Sequence, residues 1–110
     1  MNMSDLTGDA VVRLLAALAN PHRLRVVAAL ASGRSYVSEL ARALGISRPL
    51  LQVHLRRLEA VGLVTATMEI SEDGKAMKYY ELSPFDLALT PASLATAAAT
   101  VTVDASGEPS

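Results

Sequence analysis

The sequence predicts a mainly α-helical domain of about five helices built around one two-stranded β-hairpin, and two periodicities carry that expectation. Four successive segments place apolar residues at i, i+3, i+4 and i+7, the spacing that lays a stripe down one side of a helix. They are Val11, Leu14, Leu15, Leu18; Leu24, Val27, Ala28, Ala31; Val37, Leu40, Ala41, Leu44; and Leu51, His54, Leu55, Leu58. After Gly62 the period drops to that of a strand: Val64, Ala66, Met68 and Ile70 alternate with Thr65, Thr67 and Glu69. Asp73-Gly74 then signals a hairpin turn, and a second strand follows from Lys75 to Leu82.

The helix boundaries have start and stop chemistry. Asn20-Pro21 reads as an N-cap followed by proline at the first helical position, where its missing N–H costs nothing. Gly33 closes that second helix. Ser35 or Tyr36 opens the third, and Gly45 ends it. Ser47 caps the fourth, which runs to Gly62. The two or three residues between the third and fourth helices force a steep crossing, a helix-turn-helix. With Asp73 and Gly74 as a two-residue turn, Ile70 faces Met77, Glu69 faces Lys78, Glu72 faces Lys75 and Met68 faces Tyr79. Apolar then meets apolar and acid meets base. Phe85, Leu87 and Leu89 read as extended, and Thr90-Pro91 opens a last helix over PASLATAAATVTV. Residues 1–8 and 104–110 read as flexible tails around one domain, 9–103.

Composition narrows the function. In 110 residues there is no cysteine, which excludes disulfides, thiolate metal sites and a cysteine nucleophile. The N-terminus lacks the basic segment of a secretory signal, and the most apolar stretch, Phe85 to Val103, is too broken to span a bilayer. A cytoplasmic protein with no membrane partner is the expectation. No glycine-rich phosphate loop, paired metal-binding histidines or nucleophile elbow is present, so an enzyme is not expected. The net charge of -1 hides an asymmetry, because all ten bases lie between Arg13 and Lys78 with only five acids among them. From Arg42 to Arg57 there are four arginines and no acid. Such a stretch is either a solvated helix face or a nucleic-acid footprint.

The order helix, helix, helix-turn-helix, basic hairpin is that of a winged-helix DNA reader. From about Leu14 to Leu82 the chain resembles the ArsR/SmtB-type winged-helix transcription regulators. LAALANPHRLRVVAAL resembles the start of their second helix, YVSELARALGISRP their helix-turn-helix, LLQVHLRRLEAVGLV their recognition helix, and EDGKAMKYYEL their wing. The resemblance implies a homodimer that binds double-stranded DNA, with recognition helix 47–61 in the major groove and wing 64–82 on the flanking backbone.

Helical geometry assigns residues to that role. With Leu51, His54, Leu55 and Leu58 facing the core, the opposite side presents Pro49, Gln52, Val53 and Arg56, flanked by Arg48 and Arg57, with Ser47 at the cap. Gln52 can pair bidentately with adenine, Arg48 or Arg56 with guanine or phosphate, and Val53 can touch a thymine methyl. Lys75 and Lys78 on the wing would meet phosphate or, alternatively, pair across the hairpin with Glu72 and Glu69. A dimer interface is expected from Val11, Leu14, Leu15 and Leu18 of the first helix with Leu94, Ala97, Ala98 and Val101 of the last. His54, on the apolar stripe, reads as a core histidine, and His22 as exposed. Relatives that sense metals use a cysteine pair at the start of the third helix or Asp and His on the last. Here Tyr36 and Ser38 stand in the first slots, and the last helix has no histidine. No cofactor is therefore expected. Weak nickel or zinc binding through His22, a separate effector protein, and a winged-helix interaction module without DNA binding remain alternatives.

Overall fold

The computed structural model describes residues 1–103, and within the chain two compact units can be described separately. The expected C-terminal tail, 104–110, lies outside the described residues.

The larger unit, Ala17–Ser83, contains α2 (Pro21–Leu30), β1 (Ser35–Tyr36), α3 (Val37–Leu44), α4 (Arg48–Ala60), β2 (Val64–Ile70) and β3 (Ala76–Leu82). The caps follow the sequence: Asn20 Oδ1 accepts from Arg23 N at 3.2 Å, and Ser47 Oγ accepts from Leu50 N at 3.3 Å. Arg25 Nη2 donates to Leu44 O at 3.2 Å, which ties α2 to the otherwise unsatisfied C-terminal carbonyls of α3. The stripes of α3 and α4 bury Leu40, Ala41, Leu44, Leu51, Leu55 and Leu58, and the sheet adds Val64 and Tyr80. α2 instead buries Val26 and Leu30, while Leu24, Ala28 and Ala31 of its expected stripe are exposed and Val27 is half-buried, so the helix is rotated from the face its spacing suggested.

The sheet differs from expectation in two ways. It has three antiparallel strands in the order β1-β3-β2, because Ser35 and Tyr36 pair with Tyr80 and Tyr79. Two residues are too few to show a period, so the sequence reads them only as the start of a helix. The β2–β3 register is also displaced by one: Ile70 faces Ala76, Glu69 faces Met77, Met68 faces Lys78 and Thr67 faces Tyr79. Turn chemistry explains the shift. Ser71 O accepts from Gly74 N at 2.9 Å and Ser71 N donates to Lys75 O at 2.8 Å, closing a three-residue loop with Gly74 at φ 83°. This is a turn followed by a left-handed residue, a second way for Asp-Gly to close a hairpin. The Ser71 hydroxyl secures it by bonding to Asp73 and by accepting from Lys75 N at 3.0 Å.

The smaller unit comprises Met1–Ala16 and the chain from Pro84 onward. Its elements are a short 3-10 helix (Met3–Asp5), the start of α1 (Gly8–Leu18), and α5 (Pro91–Ala98). The first eight residues are not a loose tail. The terminal ammonium donates to Pro84 O at 3.1 Å, Asp86 N donates to Met1 O at 2.8 Å, and Asn2 forms a bridge with Asp86. Residues 83–90 form no strand beyond that bridge. Thr90 and Ser93 make a reciprocal capping box at 3.0 and 2.9 Å, so α5 starts where expected. It stops early. Thr100 Oγ1 accepts from Gly8 N at 2.7 Å and so caps α1, while Thr102 donates to the Asp9 carboxylate through its backbone at 2.8 Å and its hydroxyl at 2.6 Å instead of extending α5. Those Thr102 bonds, side chain first, hold the Asp9 carboxyl below its ordinary value. Gly8 is required for this approach: a β-carbon there would lie 2.0 Å from Ala97 O.

Candidate nucleic-acid interface

The outward side of α4 is set by the inward one. Because Leu51, His54, Leu55 and Leu58 are buried, residues half a turn away are displayed: Pro49, Val53, Arg56 and Arg57 are exposed, as are Ser47 and Arg48 at the start of the helix. No glutamate or aspartate occurs in the first turn of α4. The turn between α3 and α4 opens a concavity of about 630 Å³ lined by Ser38, Ala41, Arg42, Gly45, Ile46, Ser47 and Arg48. Two guanidinium groups therefore flank the N-terminus of α4, whose free N–H groups and dipole also favour an anion. Arg42 was not among the expected site residues, and only its place in the acid-free run hinted at it.

The hairpin contributes one cation closely and one more remotely. Lys78 Nζ lies 5.4 Å from the Tyr80 ring centroid, and Tyr80 Oη reaches Gln52 Oε1 at 3.4 Å, so a single tyrosine links the wing lysine to the outward side of α4. Gln52 is half-buried and tethered. Lys75 is exposed in the hairpin loop. The expected cross-strand pairs are replaced because of the register shift. Lys78 stands opposite Met68, and the Glu69 carboxylate instead meets Arg34 at 2.5 Å. Arg34 also lies 4.2 Å over the Tyr79 ring, which packs edge-on against Tyr36 at 5.9 Å. Among the described residues this is the hairpin's ion pair, and it leaves Lys78 without a carboxylate partner.

His54 sits in the core as its stripe position requires, 6% exposed, with Nδ1 3.3 Å from Arg23 Nη1 and Nε2 unpartnered. His22 is exposed and stacks on it, ring centroids 5.4 Å apart at 24°. Burial, then the Arg23 and His22 charges, hold the His54 imidazole below its ordinary range. The unfolded chain consequently takes up this proton more readily than the folded one. The contribution of His54 to stability is complete above about pH 6.5 and is lost as pH falls below that value. Thermal melting across that range is expected to show the loss, and His54→Leu is expected to flatten it.

Stacked rings do not converge on one ion, and among the described residues no three His, Cys, Asp or Glu side chains gather. The chain does not fit a thiolate metal centre, since Tyr36 and Ser38 occupy the relevant positions. Of the expected interface residues, Val11 and Leu14 are buried within the single chain, Leu15, Leu18, Ala97 and Val101 are half-buried, and Leu94 and Ala98 are exposed. Val12 is 45% exposed on α1. No helix among the described residues is long and apolar enough to cross a membrane.

Transcription regulators are among the known proteins that this chain is similar to. Residues 20–66 match the family model described as bacterial regulatory protein, arsR family. The chain is 39% identical over 75 residues to the HTH-type transcriptional regulator CmtR of Mycobacterium tuberculosis, a match that covers 68% of this chain and 60% of that protein's length. It is 35% identical over 75 residues to an uncharacterized HTH-type transcriptional regulator of Methanocaldococcus jannaschii, covering 68% of this chain and 78% of the relative. Among solved structures, a homodimeric winged helix-turn-helix DNA-binding domain from Mycobacterium bovis, described as a possible ArsR-family transcriptional regulator, superimposes with a TM-score of 0.60. It is 34% identical, over 67% of this chain and 64% of that one. HlyU from Vibrio cholerae gives 0.59 at 29% identity, over 82% of this chain and 86% of that one. The fold is a winged helix-turn-helix, and the matched family consists of transcription regulators, not enzymes. Fold, helix-turn-helix geometry and sequence agree that the chain belongs to the arsR family of bacterial regulatory proteins.

Proposed function

We propose that the chain is a sequence-specific double-stranded DNA-binding regulator that acts as a homodimer, with α4 in the major groove and the β2–β3 wing on the flanking backbone. The observation that carries this reading is the outward side of α4, where Arg48, Gln52, Val53, Arg56 and Arg57 are displayed with no acid among them. A helix of this width fits the major groove, and its N-terminal half reaches the base edges. Ser47, Arg48 and Arg42 then grip phosphate around the start of the helix, while Lys78 and Lys75 extend the positive surface along the wing. For the dimer, the exposed Leu94 and Ala98 of α5 and Val12 of α1 offer apolar surface, and the M. bovis domain is homodimeric.

The test is fluorescence anisotropy of duplex DNA at increasing salt. A dimer that places six to ten of these cations on phosphates is expected to lose about 10³-fold or more in affinity between roughly 50 and 200 mM salt. Binding that ignores salt, or no binding to any duplex, would leave a winged-helix module for protein partners.

A further inference from the structure

We infer that the outer half of the hairpin is an apolar wedge, with Met68 and Ile70 entering the minor groove beside the α4 site and opening it at a deformable base step. The inference rests on the proposed placement of α4 in the major groove. Residues opposite one another in an antiparallel pair share a face of the sheet, so Ala66, Met68 and Ile70 lie on one face with Tyr80, Lys78 and Ala76. Near the core that face is closed, because Tyr80 is 1% exposed. Further out it is open: Met68 is 60% and Ile70 72% exposed, and Ala76 and Lys78 are exposed beside them. The other face of the outer hairpin is the covered one. There Glu69, Met77 and Tyr79 are half-buried, with Arg34 paired to Glu69 and lying over the Tyr79 ring. The outer hairpin thus covers the face that carries Glu69 and displays the apolar one, the reverse of an ordinary solvated strand pair.

Continuity and charge identify the occupant. The open face runs on from the outward side of α4, since Tyr80 Oη lies 3.4 Å from Gln52 Oε1 and Lys78 Nζ 5.4 Å from the Tyr80 ring centroid. Its strand residues include a lysine and no acid, because Glu69 and Glu81 belong to the opposite face. Glu72 and Asp73 lie in the loop beyond Ile70, which confines the wedge to the strands. At about 3.4 Å per residue, Met68 and Ile70 stand about 7 and 14 Å along β2 from Ala66, the partner of Tyr80. Half the width of the major groove is only about 6 Å. With Tyr80 against α4, Lys78 opposite Met68 comes level with the phosphates, and Ile70 passes them to the minor groove. Ile70 has no hydrogen-bonding group and Met68 only a weak sulfur acceptor, so neither reads a base edge as Gln52 can. Their selectivity comes from the cost of parting the bases, which is least at pyrimidine–purine steps.

The double variant Met68→Ala/Ile70→Ala tests this. Both side chains are exposed, so its melting temperature is expected to match that of wild type. In duplexes selected from a randomised pool, wild type is expected to favour a TA or CA/TG step by about tenfold at one position flanking the bases read by α4. The double variant is expected to lose that preference and to keep the α4 bases. With 2-aminopurine in place of the adenine of a TA step there, fluorescence is expected to rise on binding wild type, as the base unstacks, and to stay unchanged with the double variant. Met68→Leu/Ile70→Leu is expected to restore both signals, whereas Lys78→Ala lowers affinity and keeps the step preference. A wild type with no flanking preference, or a preference and fluorescence rise that survive in the double variant, would overturn the inference and leave α4 in place. So would a double variant that binds DNA as wild type does but no longer self-associates by light scattering, which would make this face a contact between copies. Failure of wild type to bind any duplex is a distinct outcome, and refutes the placement of α4 itself.

Discussion

Leu55→Ala is expected to destabilise the protein by about 2–5 kcal/mol, the scale for truncating a fully buried leucine whose site cannot collapse. Leu55 has no exposed surface and lies on the α4 stripe with Leu51 and Leu58, which are equally buried. These three side chains fix the rotation of α4 about its axis, and so decide which residues face outward. A small domain has only about 5–15 kcal/mol of stability in all, so the loss is a large fraction of it. Val53, two positions before Leu55 and 42% exposed, provides the contrast. Val53→Ala is expected to change stability by less than about 0.5 kcal/mol. Circular dichroism melts of the two variants would check this, and similar melting points would mean that the inward side of α4 has been misassigned.

The second large effect separates reading from gripping. Gln52→Ala is expected to cost about 1–3 kcal/mol on the selected duplex and to relax base choice at one position, with little change on random DNA. Lys78→Ala is expected to weaken both duplexes alike. It should also lower the slope of log affinity against log salt by about one per phosphate contact. The structure strengthens that contrast, because Lys78 has no carboxylate partner among the described residues to screen it. Arg56 can play either part, and its salt slope assigns it. Anisotropy of each variant on both duplexes through a salt series makes the measurement. Equal losses for Gln52→Ala on both, with altered base preference in Lys78→Ala, would transfer the reading role to the hairpin.

Periodicity makes the buried sides of α3 and α4 legible in the sequence because burial is decided residue by residue along one element, whereas in α2 it locates the helix but picks Leu24, Val27, Ala28 and Ala31 where Val26 and Leu30 are buried. The inward and outward residues of α4 follow from Leu51, His54, Leu55 and Leu58 alone. Where structure depends on contacts between distant residues, the sequence runs out. Asp73-Gly74 announces a hairpin but fits two loop lengths, and the choice lies with the Ser71 hydroxyl, which shifts every cross-strand pair by one. Glu69 consequently meets Arg34, 35 positions earlier, instead of Lys78. β1 is invisible because two residues have no period. α5 ends at Ala98 because Thr100 and Thr102 bond to Gly8 and Asp9, over 90 residues away. The Tyr80–Gln52 contact, 28 residues apart, belongs to the same class.

In the proposed complex, duplex DNA lies against the outward side of α4 with the wing beside it. Backbone amide chemical-shift mapping tests this placement, with isotope-labelled protein titrated with a selected duplex. The largest perturbations are expected at Ser47, Arg48, Gln52, Val53 and Arg56, a second group at Lys75 and Lys78, and small ones across α5. Perturbations concentrated on α5 and α1, with the amides from Ser47 to Arg57 unmoved, would contradict it.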